Sequence, residues 1–396
     1  MIILLRHDAT AQIIIHTANM IEFDWTNMTQ AVWTSPLLPL IASNIPPLTS
    51  VDVGSGSKFK TDLLSYLRSY DTKRPICRPL ITELIKYDFS SIKAALIASV
   101  PSRLSPSDPA GISWGWPSLQ KALCTISCST NHPDIITQCS SIATIGATSL
   151  WLEKTFFRAL STSKNHNTTT TKAKHKIVFP TADEIRRSLN GYASGSAIHM
   201  KLQTPAQQKQ FQYMKPYFHH WAGDGAQHAS SLMNSLSSTT SAVRDSGRRR
   251  AAPHIKTYAR FSDSGQRTID WMLVTSANLS KQAWGDAPNS AGQVRVCSYE
   301  IGVLVWPELW GEGTVMVPSF NSDYPAVNHL DESGNGHSDE DGSGSSDQGK
   351  DTSKKTYVGA RMPYDLPLVK YAKGDEPWCA TRSYSEPDWL GQPYMV

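Results

Sequence analysis

Four side chains of this 396-residue sequence are spaced as phosphoryl-transfer groups would need to be. His254 and Lys256 flank Ile255 in PHIKTYAR, so on an extended strand both project from one face. Asn278 follows the apolar run MLVTS, and Asn19 follows IIIHT in the same way, each at an expected strand end. A phosphodiester needs a nucleophile, an acid for the leaving oxygen, and cations or N–H donors on its equatorial oxygens. Two His-x-Lys pairs with two Asn supply all of these without a metal or other cofactor. One His attacks phosphorus and becomes a phosphohistidine; the other protonates the leaving oxygen and then activates water.

A lone His-x-Lys is weak evidence. His199-Met200-Lys201 is another instance, lacks a following strand and Asn, and reads as surface. The 254–256 pair gains weight from an internal repeat. IIIHTANMIEFDW (13–25) and MLVTSANLSKQAW (272–284) share an apolar strand, a small hydroxyl residue, Ala, Asn, and a Trp six positions later. Two homologous halves, each presenting an Asn at a strand end, are expected. Lys256 lies 22 residues before Asn278, and the same count back from Asn19 passes Met1. The partner His-x-Lys is therefore expected at or before Met1, so the chain should be an N-terminally incomplete one. The apolar MIILL, a buried strand with nothing ahead of it, fits that expectation.

Around these motifs the pattern alternates strand and helix. Residues 1–19 read as a hairpin, 59–70 and 81–87 as helices, and 94–99 as a strand that ends a first unit. The second unit opens with Trp114, Trp116 and a helix over 119–126. It continues with helices over 147–160, 182–189 and 207–221, the last disturbed by Pro216, and a strand over 176–180. The boundaries drawn are 1–98 and 99–396, with disordered insertions near 163–175, 223–252 and 322–358, the last rich in Gly, Ser and Asp. Trp25, Trp33 and Trp284 read as core. His219, His220 and Trp221 read as a helix end on the core, and Arg248 to Arg250 as a solvated loop. His7 and His16 are not expected to be catalytic.

No stretch reaches the roughly 18 apolar residues of a bilayer span, so no membrane partner is expected. The net charge of +4 says little alone, but acidic residues concentrate in one late segment and leave the rest more basic, which suits a polyanion. The six cysteines form no CxxC pair and no Cys/His set with zinc spacing, as expected of a reduced, intracellular protein with no metal site.

The segments PHIKTYAR, LVTSANLSKQAWG, CSYEIGVL, IHTANMIEFDW and PYDLP closely resemble the tyrosyl-DNA phosphodiesterases of the phospholipase D superfamily, over nearly the whole chain. Ordinary phospholipase D motifs carry Asp four residues after the Lys. Here Arg260 stands there, as is typical of the resembled family. The resemblance implies an α/β fold of two similar phospholipase D-like domains, each a mixed sheet flanked by helices, the first incomplete here. It implies a nuclear, monomeric repair enzyme that removes a topoisomerase I tyrosine or other adducts from single-stranded, nicked or blunt DNA 3′ ends. His254 would be the general acid/base, Lys256, Asn278 and Asn19 phosphate ligands, and Glu300 the carboxylate that orients His254. Ser280, Ser140, Ser141, Thr144 and Gln30 would contact DNA. Without the nucleophilic His, the chain as given should form no covalent intermediate. A DNA-binding protein without catalysis is the alternative. A lipid phosphodiesterase is disfavoured by Arg260 and the lack of membrane segments.

Overall fold

The computed structural model describes residues 1–42, 52–72, 74–107, 112–166, 168, 170–223, 243–326 and 355–396. The two unequal sheets follow from local pattern. In β2 (Thr10–His16) Ala11, Ile13 and Ile15 are buried, while Gln12 and Ile14 alternate with them. β2 pairs antiparallel with β1 (Ile2–Leu5) around a turn where Ala9 adopts φ 58°. Its other edge holds β4 (Val32–Thr34) and β5 (Leu38–Pro39), with β3 (Met28–Thr29) between β2 and β4 in sequence. β1 is half-exposed rather than buried: it is an edge strand, with Leu4 and Leu5 open to solvent. α1 (Gly56–Arg68), capped by Ser55, lays Phe59, Leu63 and Leu67 on this small sheet. α2 (Arg78–Leu84) adds Ile81 and Leu84.

β6 (Ala95–Ser99) alternates between two cores: Leu96 and Ala98 join the α1 core, Ala95 and Ile97 the larger one. The expected boundary at 98 and 99 thus falls inside a strand of the large sheet. β7 (Ser102–Leu104) and α3 (Trp116–Leu123) follow. Then come β8 (Asp134–Gln138), a π-helical turn (Leu152–Phe156) running into α4 (Phe157–Leu160), and β9 (Lys174–Val178). α5 (Ala182–Arg186) and α6 (Pro205–Met214) both start with reciprocal capping boxes, Thr181/Glu184 and Thr204/Gln207. α6 stops short of the expected 221: Pro216 cannot continue an α-helix, and a 3-10 turn leads into β10 (Phe218–His219).

β11 (Ala252–Pro253) pairs with β3, and the main strands are β12 (Thr257–Phe261), β13 (Ile269–Thr275) and β15 (Glu300–Val305). α7 (Lys281–Trp284) and β14 (Val294–Val296) lie between them, and β16 (Val315–Ser319) and β17 (Tyr357–Arg361) close the described strands. The large sheet runs β10-β9-β8-β12-β13-β15-β6, with β16 and β17 attached through β13. β8, β9 and β10 are parallel and β12, β13, β15 and β6 antiparallel, so the sheet is mixed. At its centre Gly302 lies so close to Thr275 that a Cβ there would sit 2.5 Å from the threonine Cβ.

The insertions differ from expectation wherever they are described. Residues 163–166 are tied down: Lys164 N–H donates to Ile126 O (2.8 Å), and Asn165 exchanges hydrogen bonds with the Cys128 backbone. Residues 243–252 are ordered, with Arg244 bridging Leu366 and Arg249 paired to Asp365. Most of 223–252 and 322–358 lies outside the described residues. Trp25 is 55% exposed while Trp284 is buried. No described helix is long and apolar enough to cross a membrane.

Candidate active site

The repeat reappears in backbone terms. β2 and β13 each have seven residues and end three positions before Asn19 and Asn278. A short helical turn then spans 22–25 in one copy and 281–284 in the other, at the same offset from the Asn. The copies use their Trp differently. Trp284 is buried and donates Nε1–H to Tyr258 Oη (3.1 Å), whose own hydroxyl donates to Ala277 O (3.1 Å), which pins the turn before Asn278. Trp25 lies on the surface because its turn sits over solvent, packs at a tilt against the buried His16, and donates to Asn19 O (2.7 Å).

His254 and Lys256 sit where the two sheets meet. The N–H groups of His254 and Ile255 both donate to Thr29 O, so the first sheet's connection aims the His-x-Lys segment. Both side chains are buried, at 7% and 2% exposure. Lys256 Nζ donates to His254 O (2.6 Å) and lies 3.2 Å from His254 Nε2. An ammonium only donates, so Nε2 is the acceptor and the imidazole proton sits on Nδ1. Nδ1 faces Asp24 Oδ2 at 3.2 Å. The same Asp24 oxygen accepts the Asn19 backbone N–H (2.6 Å), so one carboxylate links the first copy's Asn to the second copy's His.

Two residues make contacts other than the expected ones. Glu300 does not orient His254: its Oε2 accepts from Ser276 Oγ (2.5 Å), and Asp24 holds the imidazole. Glu300 opens β15, whereas Asp24 arrives on the 3-10 turn after Asn19. Gln30 is likewise engaged within the fold. It accepts from Thr17 Oγ1 (2.8 Å), donates to Asp24 O (3.1 Å) and packs its amide against His254 Nδ1.

The electrostatics follow from burial and the cluster of cations. Burial first, then the Lys256 ammonium, push His254 down to about 4, with Asp24 opposing. Burial lowers Lys256 to about 8, with Glu300 and Asp24 opposing, and burial raises Glu300. At neutral pH the imidazole is therefore neutral beside a cation.

Asn278 is held by its oxygen. Oδ1 accepts from Ser140 N–H (3.1 Å), Ser140 Oγ (3.1 Å) and Ser141 N–H (2.8 Å), which leaves the Nδ2 donors for a ligand. Ser140 is buried in this clamp, and Ser141 serves it through its backbone. Ser280 caps α7 by accepting from Ala283 N–H (3.0 Å), and exposed Thr144 accepts from Gln207 (3.2 Å).

Sequence reasoning missed one site residue: Asp24, an acid five residues past Asn19, gave a signal that passed unused. His199, read as surface, is exposed, while its backbone pairs with Ser140 and Ile142 beside the Asn278 clamp, a pairing that only the packing of distant segments reveals. The family-typical Arg260 proves structural: fully buried, it pairs with Asp270 (3.0 Å) and donates to Thr130 O (2.7 Å).

The sequence profile of the family described as tyrosyl-DNA phosphodiesterase matches residues 1–372. The chain is 29% identical to a probable tyrosyl-DNA phosphodiesterase of Schizosaccharomyces pombe, covering 97% of this chain and 74% of that protein. It is 28% identical to tyrosyl-DNA phosphodiesterase 1 of Drosophila melanogaster, covering 94% of this chain and 54% of the relative. For the Arabidopsis thaliana protein of the same name the identity is 28%, with 96% and 58% covered. The chain thus spans little more than half the length of those two relatives. In fold it resembles the crystal structure of the yeast tyrosyl-DNA phosphodiesterase, with a TM-score of 0.62 at 20% identity over 96% of this chain and 76% of that one.

Proposed function

Because this chain belongs to the tyrosyl-DNA phosphodiesterase family, we propose that its cleft takes a DNA 3′ end whose phosphate is esterified to tyrosine, as topoisomerase I leaves it, or to another adduct. The observation that carries this reading is the convergence of His254, Lys256 and the Asn278 amide, with Asp24 tying Asn19 to the same histidine. In the reaction a histidine nitrogen bonds to phosphorus, the bond from phosphorus to the tyrosyl oxygen breaks, and His254 Nε2 gives that oxygen a proton. In the second step His254 takes a proton from water, whose oxygen bonds to phosphorus as the bond to histidine breaks. The resting His254 is neutral. An arriving phosphodiester anion offers Lys256 a stronger acceptor than Nε2 and raises the pKa of His254, which prepares the acid form. The Asn278 amide and Lys256 hold the equatorial oxygens.

The nucleophile of that sequence is a second His-x-Lys histidine, and no such motif precedes Asn19 in residues 1–396. These residues are therefore proposed to bind the 3′ end without forming the phosphohistidine, as a DNA-binding half of the chemistry. A nuclear location and a monomeric state go with that substrate. The test is a short 3′-phosphotyrosyl oligonucleotide. Residues 1–396 should bind it, lose affinity in Lys256→Ala, and release no tyrosine. Turnover would refute the need for a second His-x-Lys, and affinity unchanged in Lys256→Ala would refute the site.

A further inference from the structure

The end of the large sheet opposite His254 carries a concentration of positive charge that the site does not use. Residues 151–176 hold six Lys or Arg and a single acid, Glu153, a local excess larger than the whole chain's net charge of +4. Four of these cations border one cleft of about 570 Å³: Lys154, Arg158, Lys172 and Lys174. All four are exposed, and none has an ion-pair partner among the described residues. Glu153 is engaged by the Tyr217 hydroxyl at 3.1 Å. Lys154 and Arg158 stand four apart on one helix, where like charges repel, and Lys172 and Lys174 alternate on the chain entering β9. Lys154 lies in the π-helical turn Leu152–Phe156, an insertion that is rare in helices and recurs at functional sites. Two elements thus converge to keep repelling charges together around a hollow.

The position excludes a role in holding the scissile phosphate. β8 and β9 are parallel, with Lys174 opposite Asp134 at their entry end, while the exit end of β8 leads to the Ser140–Ser141 clamp on Asn278. Five strand residues separate the ends, about 17 Å at the usual strand rise. Cations spread along a cleft fit successive phosphates of a polyanion better than one isolated phosphate. We propose that this cleft is a second, sequence-independent contact for the phosphate backbone of single-stranded nucleic acid, apart from the site at His254. Only the identity of the polyanion rests on the DNA-end reading above.

The test measures binding of 3′-phosphorylated single strands of about six and about twenty-four nucleotides, one confined to a single site and one able to span both, across a salt series. The proteins are residues 1–396, the Lys172→Ala/Lys174→Ala variant, and the Lys154→Glu/Arg158→Glu variant. Melting temperatures confirm that these surface changes leave the fold intact. Each variant should weaken the long strand about tenfold and leave the short one unchanged. Losing two phosphate contacts should reduce the log–log salt slope by about 1.4 in the alanine pair. Equal effects on both lengths, or none on either, overturn the proposal. Inorganic tripolyphosphate is the further arm: if the variants lose tripolyphosphate binding while long-strand affinity holds, the cleft takes small phosphates and the nucleic-acid assignment is wrong. Failure of the DNA-end reading looks different, because Lys256→Ala would then spare the short strand while the long-strand effect of the cleft variants persists.

Discussion

Replacing Lys256 by Met keeps the volume of a buried stem and removes the charge beside His254 Nε2. Two unit charges 3.2 Å apart would interact by about 5 kcal/mol at an effective dielectric of 20, close to four pH units. The whole displacement of His254, from 6.5 to about 4, is smaller than that, and burial is its larger cause. The ammonium therefore accounts for less than half of it, and Lys256→Met should raise the His254 pKa by about 1 unit, still below its solution value. Histidine-selective NMR, following the His254 ring protons from pH 3 to 8, measures this directly. Asp24→Asn provides the opposite sign, since it removes the anion that favours imidazolium, and should lower the pKa further. An unchanged or lowered pKa in Lys256→Met would refute the placement of Lys256 on Nε2. The linkage sign is also fixed. A histidine depressed in the fold contributes stability that is complete above 6.5 and lost as pH falls towards about 4, and Lys256→Met should narrow that window.

Three further outcomes follow from the same contacts. Asn278→Asp keeps an acceptor for Ser140 and Ser141 but replaces the free amide donors by negative charge. Stability measured in urea should change by less than about 1 kcal/mol, while affinity for a 3′-phosphorylated strand falls more than tenfold. Asp270→Asn leaves the fully buried Arg260 without its counter-charge and should cost about 3–5 kcal/mol, whereas Arg260→Met/Asp270→Leu should recover most of it by equilibrium unfolding. His220 lies between Glu184 and Asp375, which raise its pKa against the effect of burial. Its contribution to stability is complete below about 6.5 and lost as pH rises through the higher folded value, so a pH series of melting temperatures should show a loss that His220→Gln abolishes.

Much of the site was legible because it is written locally. Strand alternation put His254 and Lys256 on one face, and the repeated strand–Asn–Trp spacing located both Asn residues, because these features depend on two backbone periods and on short offsets. The helix start at 182 was readable, whereas the helix read from 207 begins two residues earlier, after the Thr204 cap. The partner of each side chain was not readable. Asp24 and Glu300 are both acids a few residues from a motif, and only the docking of the first sheet on Thr29 decides that Asp24 reaches Nδ1 while Glu300 turns to Ser276.

The sequence by itself determined which groups this protein brings to phosphate chemistry: a His-x-Lys and two strand-end Asn. Tertiary structure alone decided their states and relations. It buried His254 beside Lys256 and so left the imidazole neutral, tied the Asn278 oxygen to Ser140 and Ser141, and consumed Arg260 in a core ion pair. Each of these depends on which segments exclude water from a charge, and that is a property of tertiary packing, which no local pattern encodes.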